Sequence, residues 1–269
     1  MSLYVSRDLE MIKPEVIRSI ISRFQTIVKS VNKEFCNESS NISNGIIVGS
    51  FGRGTAIKGS DIDILIVLPH KEYYRFNDYK NNGQSYLLQA VKNPITNTYS
   101  QTEVHADGQV IQINFSDKMK FEVVPVFLNH DENGRQYYIY PDSNLGGKWL
   151  PTYPQDEQLA MKELNVSSKG LLFDTCKQIR KIRDSYFENL HLSGIVIDSF
   201  VYRNIGVWHW PDVSTVSTNK QGDYENYLYN CYLRSYKSQK YILTPGSNIE
   251  IDFASSSDCL ERVLLKMNE

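Results

Sequence analysis

Apolar residues at Ile12, Val16, Ile17, Ile20, Ile21, Phe24, Ile27, Val28, Val31 and Phe35 recur at three- and four-residue intervals. That spacing predicts one long amphipathic helix from Asp8 to about Phe35, with Pro14 tolerable in a first turn. An Asn- and Ser-rich loop over 37–44 leads into a short buried strand from Gly45 to Val48. The period then falls to two. The Asp61-x-Asp63 segment running on to Val67 reads as a strand, Ile111, Ile113 and Phe115 alternate within 109–115, and Lys120 to Phe127 forms a further strand after a Ser116-Asp117-Lys118 turn. Pro125 cannot donate a ladder hydrogen bond, which puts it near that strand's end or at an edge. Between these strands, residues 73–91 have mixed helical character, and 141–149 has the chemistry of a loop.

Beyond about residue 155 the pattern is helical. Leu171, Leu172, Cys176, Ile179, Ile182 and Tyr186 outline one helix, 195–205 a second, and the tyrosine-rich stretch from Tyr224 a third. A last helix is expected from near Asp258, with Glu261 three residues on as in a capping box. The expectation is an α+β chain with two lobes around a cleft. Residues 1–154 would carry the long helix and a strand-rich core, and residues 155–269 a helical lobe.

Composition removes several function classes. A net charge of −2 over 269 residues offers no electrostatic footprint for a duplex-binding protein, so long nucleic acid is not an expected partner. Cys36, Cys176, Cys231 and Cys259 are scattered without a C-x-x-C pair, and the five histidines lack ligand spacing. Nothing resembles a signal peptide or approaches membrane-spanning length, so the expected location is the cytoplasm, with no membrane partner. Most of the eighteen tyrosines are expected to be half-buried, with a hydroxyl at the surface.

The chemistry concentrates in Gly49-Ser50-Phe51-Gly52-Arg53-Gly54-Thr55 and Ser60-Asp61-Ile62-Asp63. Residues i and i+2 of a strand share a face, so Asp61 and Asp63 present two carboxylates together. Hard oxygen ligands at a strand end suit Mg²⁺, and Mg²⁺ suits a nucleoside triphosphate. The Gly49-Ser50 turn offers backbone N–H groups and a hydroxyl for phosphates, particularly if a helix begins there. Two-metal phosphoryl transfer commonly uses a third acid, and Glu122, set in an otherwise apolar strand, is the candidate. Alone, Asp-x-Asp is equally a strand-entry turn with two solvated acids, and Glu122 a solvent-facing residue; in combination the metal reading is the stronger. Lys177, Arg180 and Arg183 share a broad helix face, which spacing alone leaves open between a solvated surface and a phosphate-binding one.

The combination resembles the nucleotidyltransferase superfamily that includes DNA polymerase beta, with its Gly-Ser, Asp-x-Asp and distant third acid. The surrounding text is similar to the oligonucleotide-synthesising branch related to cyclic GMP-AMP synthase and oligoadenylate synthetase. The bacterial members are matched at Glu122-Val123-Val124-Pro125, Tyr140-Pro141-Asp142, Gly146-Gly147-Lys148-Trp149, Thr152-Tyr153-Pro154, 194–200 and Thr244-Pro245-Gly246-Ser247. The resemblance implies a polymerase beta-like core with a helical C-terminal lobe. It further implies a cyclic di- or trinucleotide synthase of anti-phage signalling, whose product activates a separate effector protein. It makes Asp61, Asp63 and Glu122 the ligands of two Mg²⁺ ions, with Mn²⁺ able to substitute, and Gly49 and Ser50 the phosphate-binding turn. Family position also favours Lys177 or Arg180 reaching the triphosphate. Arg53 could touch phosphate or brace the turn, the latter being favoured, while Asp142 and Asp198 read as structural acceptors. Two other readings remain: nucleotide transfer to a tRNA, protein or small-molecule acceptor, and a catalytically silent nucleotide-binding module.

Overall fold

The N-terminal stripe forms α1 (Pro14–Phe35), with Pro14 at the start, where its missing N–H costs no hydrogen bond. The computed structural model describes residues 3–7, 12–212 and 220–269, so the expected start at Asp8 lies outside the described residues. Ile20, Ile27, Val28, Val31 and Phe35 are the buried side of this helix. The fully buried Asn32 donates to the carbonyls of Ser40 and Ser43 and so fixes the polar 37–44 loop.

The chain divides into two compact units. One comprises Ile12–Phe51 and Gly59–Pro154. After α1 it contains β1 (Gly45–Ile47), α2 (Gly49–Arg53, which runs on into the other unit), β2 (Ile62–Val67), α3 (His70–Asn77) and α4 (Gly83–Thr98). It continues through β3 (Glu103–Asp107), β4 (Val110–Asn114), β5 (Lys120–His130), β6 (Gln136–Asp142) and β7 (Lys148–Thr152). The sheet order is β1-β2-β5-β4-β3, with β6 beside β5 and β7 beside β6. Strands β2 and β5 run parallel and every other described pair is antiparallel. Ile62, Ile64, Ile66, Ile111, Ile113, Phe121 and Val123 share one core with Ile27 and Val31 of α1 and Leu87, Leu88 and Val91 of α4. With period two, burying these residues turns Asp63, Gln112 and Glu122 to the opposite face.

Two expectations in this unit are corrected, and one strand is new. Pro125 lies inside an eleven-residue strand, opposite Ile66, and not at an end or an edge. It falls between Val123, the last residue paired with β4, and Phe127, the first paired with β6, where no ladder bond is missed on that side. The 141–149 segment is no simple loop, because β6 and β7 form a hairpin there around a single helical turn at Asn144–Gly146. Strand β3, with exposed Glu103, His105 and Asp107, carries too little apolar signal to be seen in the sequence.

The second unit comprises Gly52–Lys58, Gln155–Glu269 and the described part of the first eleven residues. Its elements are α5 (Pro154–Ser167), α6 (Leu171–Tyr186), α7 (Gly194–Asn204), α8 (Asp223–Ser235), the β8–β9 hairpin (Tyr241–Leu243, Glu250–Asp252) and α9 (Ala254–Lys266). Helix α9 begins four residues before the expected start, so Asp258 is no cap; it lies within the helix and pairs with Arg262. The tyrosine-rich stretch is more polarised than expected. Tyr224, Tyr232 and Tyr236 are buried, Tyr227 and Tyr229 half-buried, and Tyr241 exposed. All four cysteines are free thiols. Among the described residues no helix is long and apolar enough to cross a membrane.

Candidate active site

The register of β2 and β5 builds the site. Asp63 stands opposite Glu122 on the neighbouring parallel strand, and Gln112 of β4 stands opposite Glu122 on its other side. Asp61, two residues before Asp63 and just ahead of the strand, shares its side and is exposed, whereas Asp63 and Glu122 are half-buried. Burial pushes the Glu122 carboxyl above its ordinary range, and the charge of Asp61 adds to this; Gln112 and Lys120 oppose it. The Gln112 Nε2 group donates to Glu122 Oε1 at 3.3 Å. Gln112 was missed at the level of sequence, although its alternation with Ile111 and Ile113 places it on the face away from the core. A cavity of about 510 Å³ opens beside these groups, lined by Asp61, Gln112, Asn114, Lys118, Lys120 and Glu122 among others.

Gly49 follows β1 and opens α2, so a helix does begin at the Gly-Ser turn. Its φ of +61° is the left-handed conformation that glycine adopts without a Cβ clash. A Cβ there would overlap the Asp63 carboxylate, so this acid packs directly against the turn. Replacing Gly49 with alanine is expected to cost about 1–2 kcal/mol of stability from backbone strain alone. The same change displaces Asp63, so turnover should fall by much more than the stability loss explains. Urea unfolding beside a rate measurement separates the two.

The donor chemistry fits a hard divalent cation, since three carboxylates come to one side of two adjacent strands and one of them is held by an amide. A cation beside them would relieve both the repulsion from Asp61 and the cost of burying Glu122 as an anion. Among the described residues no three His, Cys, Asp or Glu side chains are already gathered as a metal-ligand set.

In the helical unit the structure separates the two α6 cations. Arg180 is 2% exposed, so it is not a free phosphate ligand. Its Nη1 and Nη2 groups donate to Asp198 at 2.7 and 2.9 Å, and to the carbonyls of Cys176 and Gly194. The expectation that Arg180 reaches a triphosphate is therefore corrected, because its guanidinium is spent inside the unit. Lys177 is half-buried and has no ion-pair partner among the described residues. Arg53 is a structural brace. Its Nε donates to Asp198 at 2.8 Å and its Nη1 to Glu157 at 3.3 Å, while Thr55 Oγ1 also donates to Asp198. Burial alone would raise the Asp198 carboxyl, but Arg180 and Arg53 outweigh it and hold it down to about 2. Asp142 is likewise structural, accepting from the backbone and side chain of Asn144. The sequence did carry a signal for the buried network, namely an acid at 198 in the middle of an apolar helix.

The family described as Second Messenger Oligonucleotide or Dinucleotide Synthetase domain matches residues 5–165, more than half of the chain and the whole carboxylate site. No curated protein matches the sequence. Among solved structures, the Elizabethkingia meningoseptica CdnE cyclic dinucleotide synthase with GTP and Apcpp superposes with a TM-score of 0.61 at 16% identity, covering 93% of this chain and 89% of that one. The STING-associated CdnE c-di-GMP synthase from Capnocytophaga granulosa gives 0.63 at 15% identity, covering 93% and 80%. The Vibrio cholerae DncV cyclic AMP-GMP synthase, a prokaryotic cGAS homolog, gives 0.55 at 14% identity, covering 96% and 73%.

Proposed function

The chain belongs to the Second Messenger Oligonucleotide or Dinucleotide Synthetase family of nucleotidyltransferases, and from that membership we propose that it joins ribonucleoside triphosphates into a cyclic di- or trinucleotide, releasing pyrophosphate. The observation that carries the proposal is the pairing of Asp63 with Glu122 across parallel strands, with Asp61 on the same side and Gly49 against Asp63.

Asp61, Asp63 and Glu122 are the residues that would hold Mg²⁺ or Mn²⁺. When bound, two such ions neutralise triphosphate charge and make the attacking hydroxyl a better nucleophile. The protein's own residues do the rest. Gly49 and Ser50 supply N–H groups and a hydroxyl at the start of α2 for phosphate oxygens. Gln112 donates to one oxygen of Glu122 and so orients the carboxylate that would help hold the cation. In this reading the cyclic product activates a separate effector protein in bacterial anti-phage defence.

The alternative acceptors, a tRNA, a protein or a small molecule, differ in one observable. A synthase releases pyrophosphate from ribonucleoside triphosphates and Mg²⁺ with no acceptor added. Release that appears only with a tRNA, protein or small-molecule acceptor would move the chain to that alternative.

A further inference from the structure

The helical unit contains a second cavity, of about 290 Å³, whose lining includes Tyr4, Leu171, Trp208, Trp210, Tyr224 and Glu225. Glu225 lies in the first turn of α8 and is 5% exposed. Its Oε1 accepts the Val5 backbone N–H at 2.8 Å, which ties the N-terminal segment to this helix. No cation among the described residues pairs with it, and burial pushes its carboxyl upward. Asp198, the most deeply buried acid of this unit, is by contrast held by two arginines. A carboxylate buried to this degree without a counter-charge is costly, and it lies on the wall of a pocket lined by two tryptophans and two tyrosines, where the other charged lining residue, Lys220, is exposed.

We propose that this pocket binds an alkylammonium group, with the Glu225 carboxylate as counter-ion and the indole and phenol rings around it. Aromatic rings attract cations through their quadrupole, and the site already shows that preference, since the Arg7 guanidinium lies 5.4 Å from the Trp210 ring centre. The Trp210 ring is fixed from behind, its Nε1 donating to Asp174 at 2.8 Å. The buried carboxylate disfavours a phosphate or carboxylate ligand. The volume suits a trimethylammonium head or the end of a lysine side chain, and these are the two sources of the same chemistry, a free amine and a protein segment.

Isothermal titration of the full chain with choline and with a blocked Gly-Lys-Gly peptide tests this, with 3,3-dimethylbutan-1-ol as the uncharged isostere of choline. At least one ammonium probe should bind saturably and the isostere should not; whichever probe binds tighter identifies the source. Glu225→Gln retains an acceptor for Val5 and removes the charge, so it should weaken binding by roughly ten- to a hundredfold. The isostere comparison needs no variant and stands even if that substitution disturbs folding. Absence of binding by both ammonium probes, equal binding of the isostere, or undiminished binding to a folded Glu225→Gln protein would each overturn the proposal. So would saturable binding of adenosine or guanosine in their place, which would make the pocket a nucleobase site.

Discussion

Asp63→Asn should leave the fold intact and lower nucleotidyl transfer by at least about a thousandfold, the loss expected when several kcal/mol of charge stabilisation is removed from a metal-assisted step. The substitution is isosteric, and the register of β2 with β5 depends on backbone bonds and on Ile62, Ile64 and Ile66, none of which change. Asparagine keeps the size of the side chain that packs against Gly49. Circular dichroism and urea unfolding should match the parent closely while pyrophosphate release is lost. Mn²⁺ affinity, read by paramagnetic resonance without turnover, should fall in parallel. A folded Asp63→Asn protein with parental turnover would remove the carboxylate assignment.

The second large effect lies in the helical unit and concerns stability. Asp198→Asn should cost about 3–5 kcal/mol, because it leaves Arg180 and Arg53 buried with their shared counter-ion gone. Glu157 neutralises only part of that excess charge, through Arg53. The pH dependence has a definite sign. A carboxyl held at about 2 in the folded protein, below its ordinary value near 3.9 in the unfolded chain, contributes stability that is complete above the unfolded value. That contribution disappears as pH falls towards 2. Urea unfolding of the two proteins should therefore differ most at neutral pH and converge in acid. A difference that stays constant down to pH 2 would mean that Asp198 is not acting through its charge.

The two sites differ in how openly the sequence displays them, and the reason is physical. Asp63 and Glu122 sit in strands, and Asp61 directly ahead of one, whose alternation fixes which face each residue takes, so knowing Ile62 and Ile64 to be buried already turns the acids outward. The α6 helix gives no such separation. Lys177, Arg180 and Arg183 look equivalent at three-residue spacing, and only the position of Asp198 on another helix determines that Arg180 is the one drawn inside. The same limit hid β3 and the β6–β7 hairpin, whose strands carry exposed polar residues and gain their order from neighbours distant in sequence. Pro125 reads as a strand terminator in isolation, yet β5 accommodates it where the partner on one side changes from β4 to β6.

The measurement that bears most directly on the central claim is product identification. Purified protein would be incubated with Mg²⁺ and the four ribonucleoside triphosphates, treated with phosphatase and analysed by mass. The account predicts a phosphatase-resistant cyclic di- or trinucleotide that is absent from Asp61→Asn and Asp63→Asn reactions. Triphosphates recovered only as nucleosides, from a protein shown to bind both Mn²⁺ and triphosphate, would contradict it.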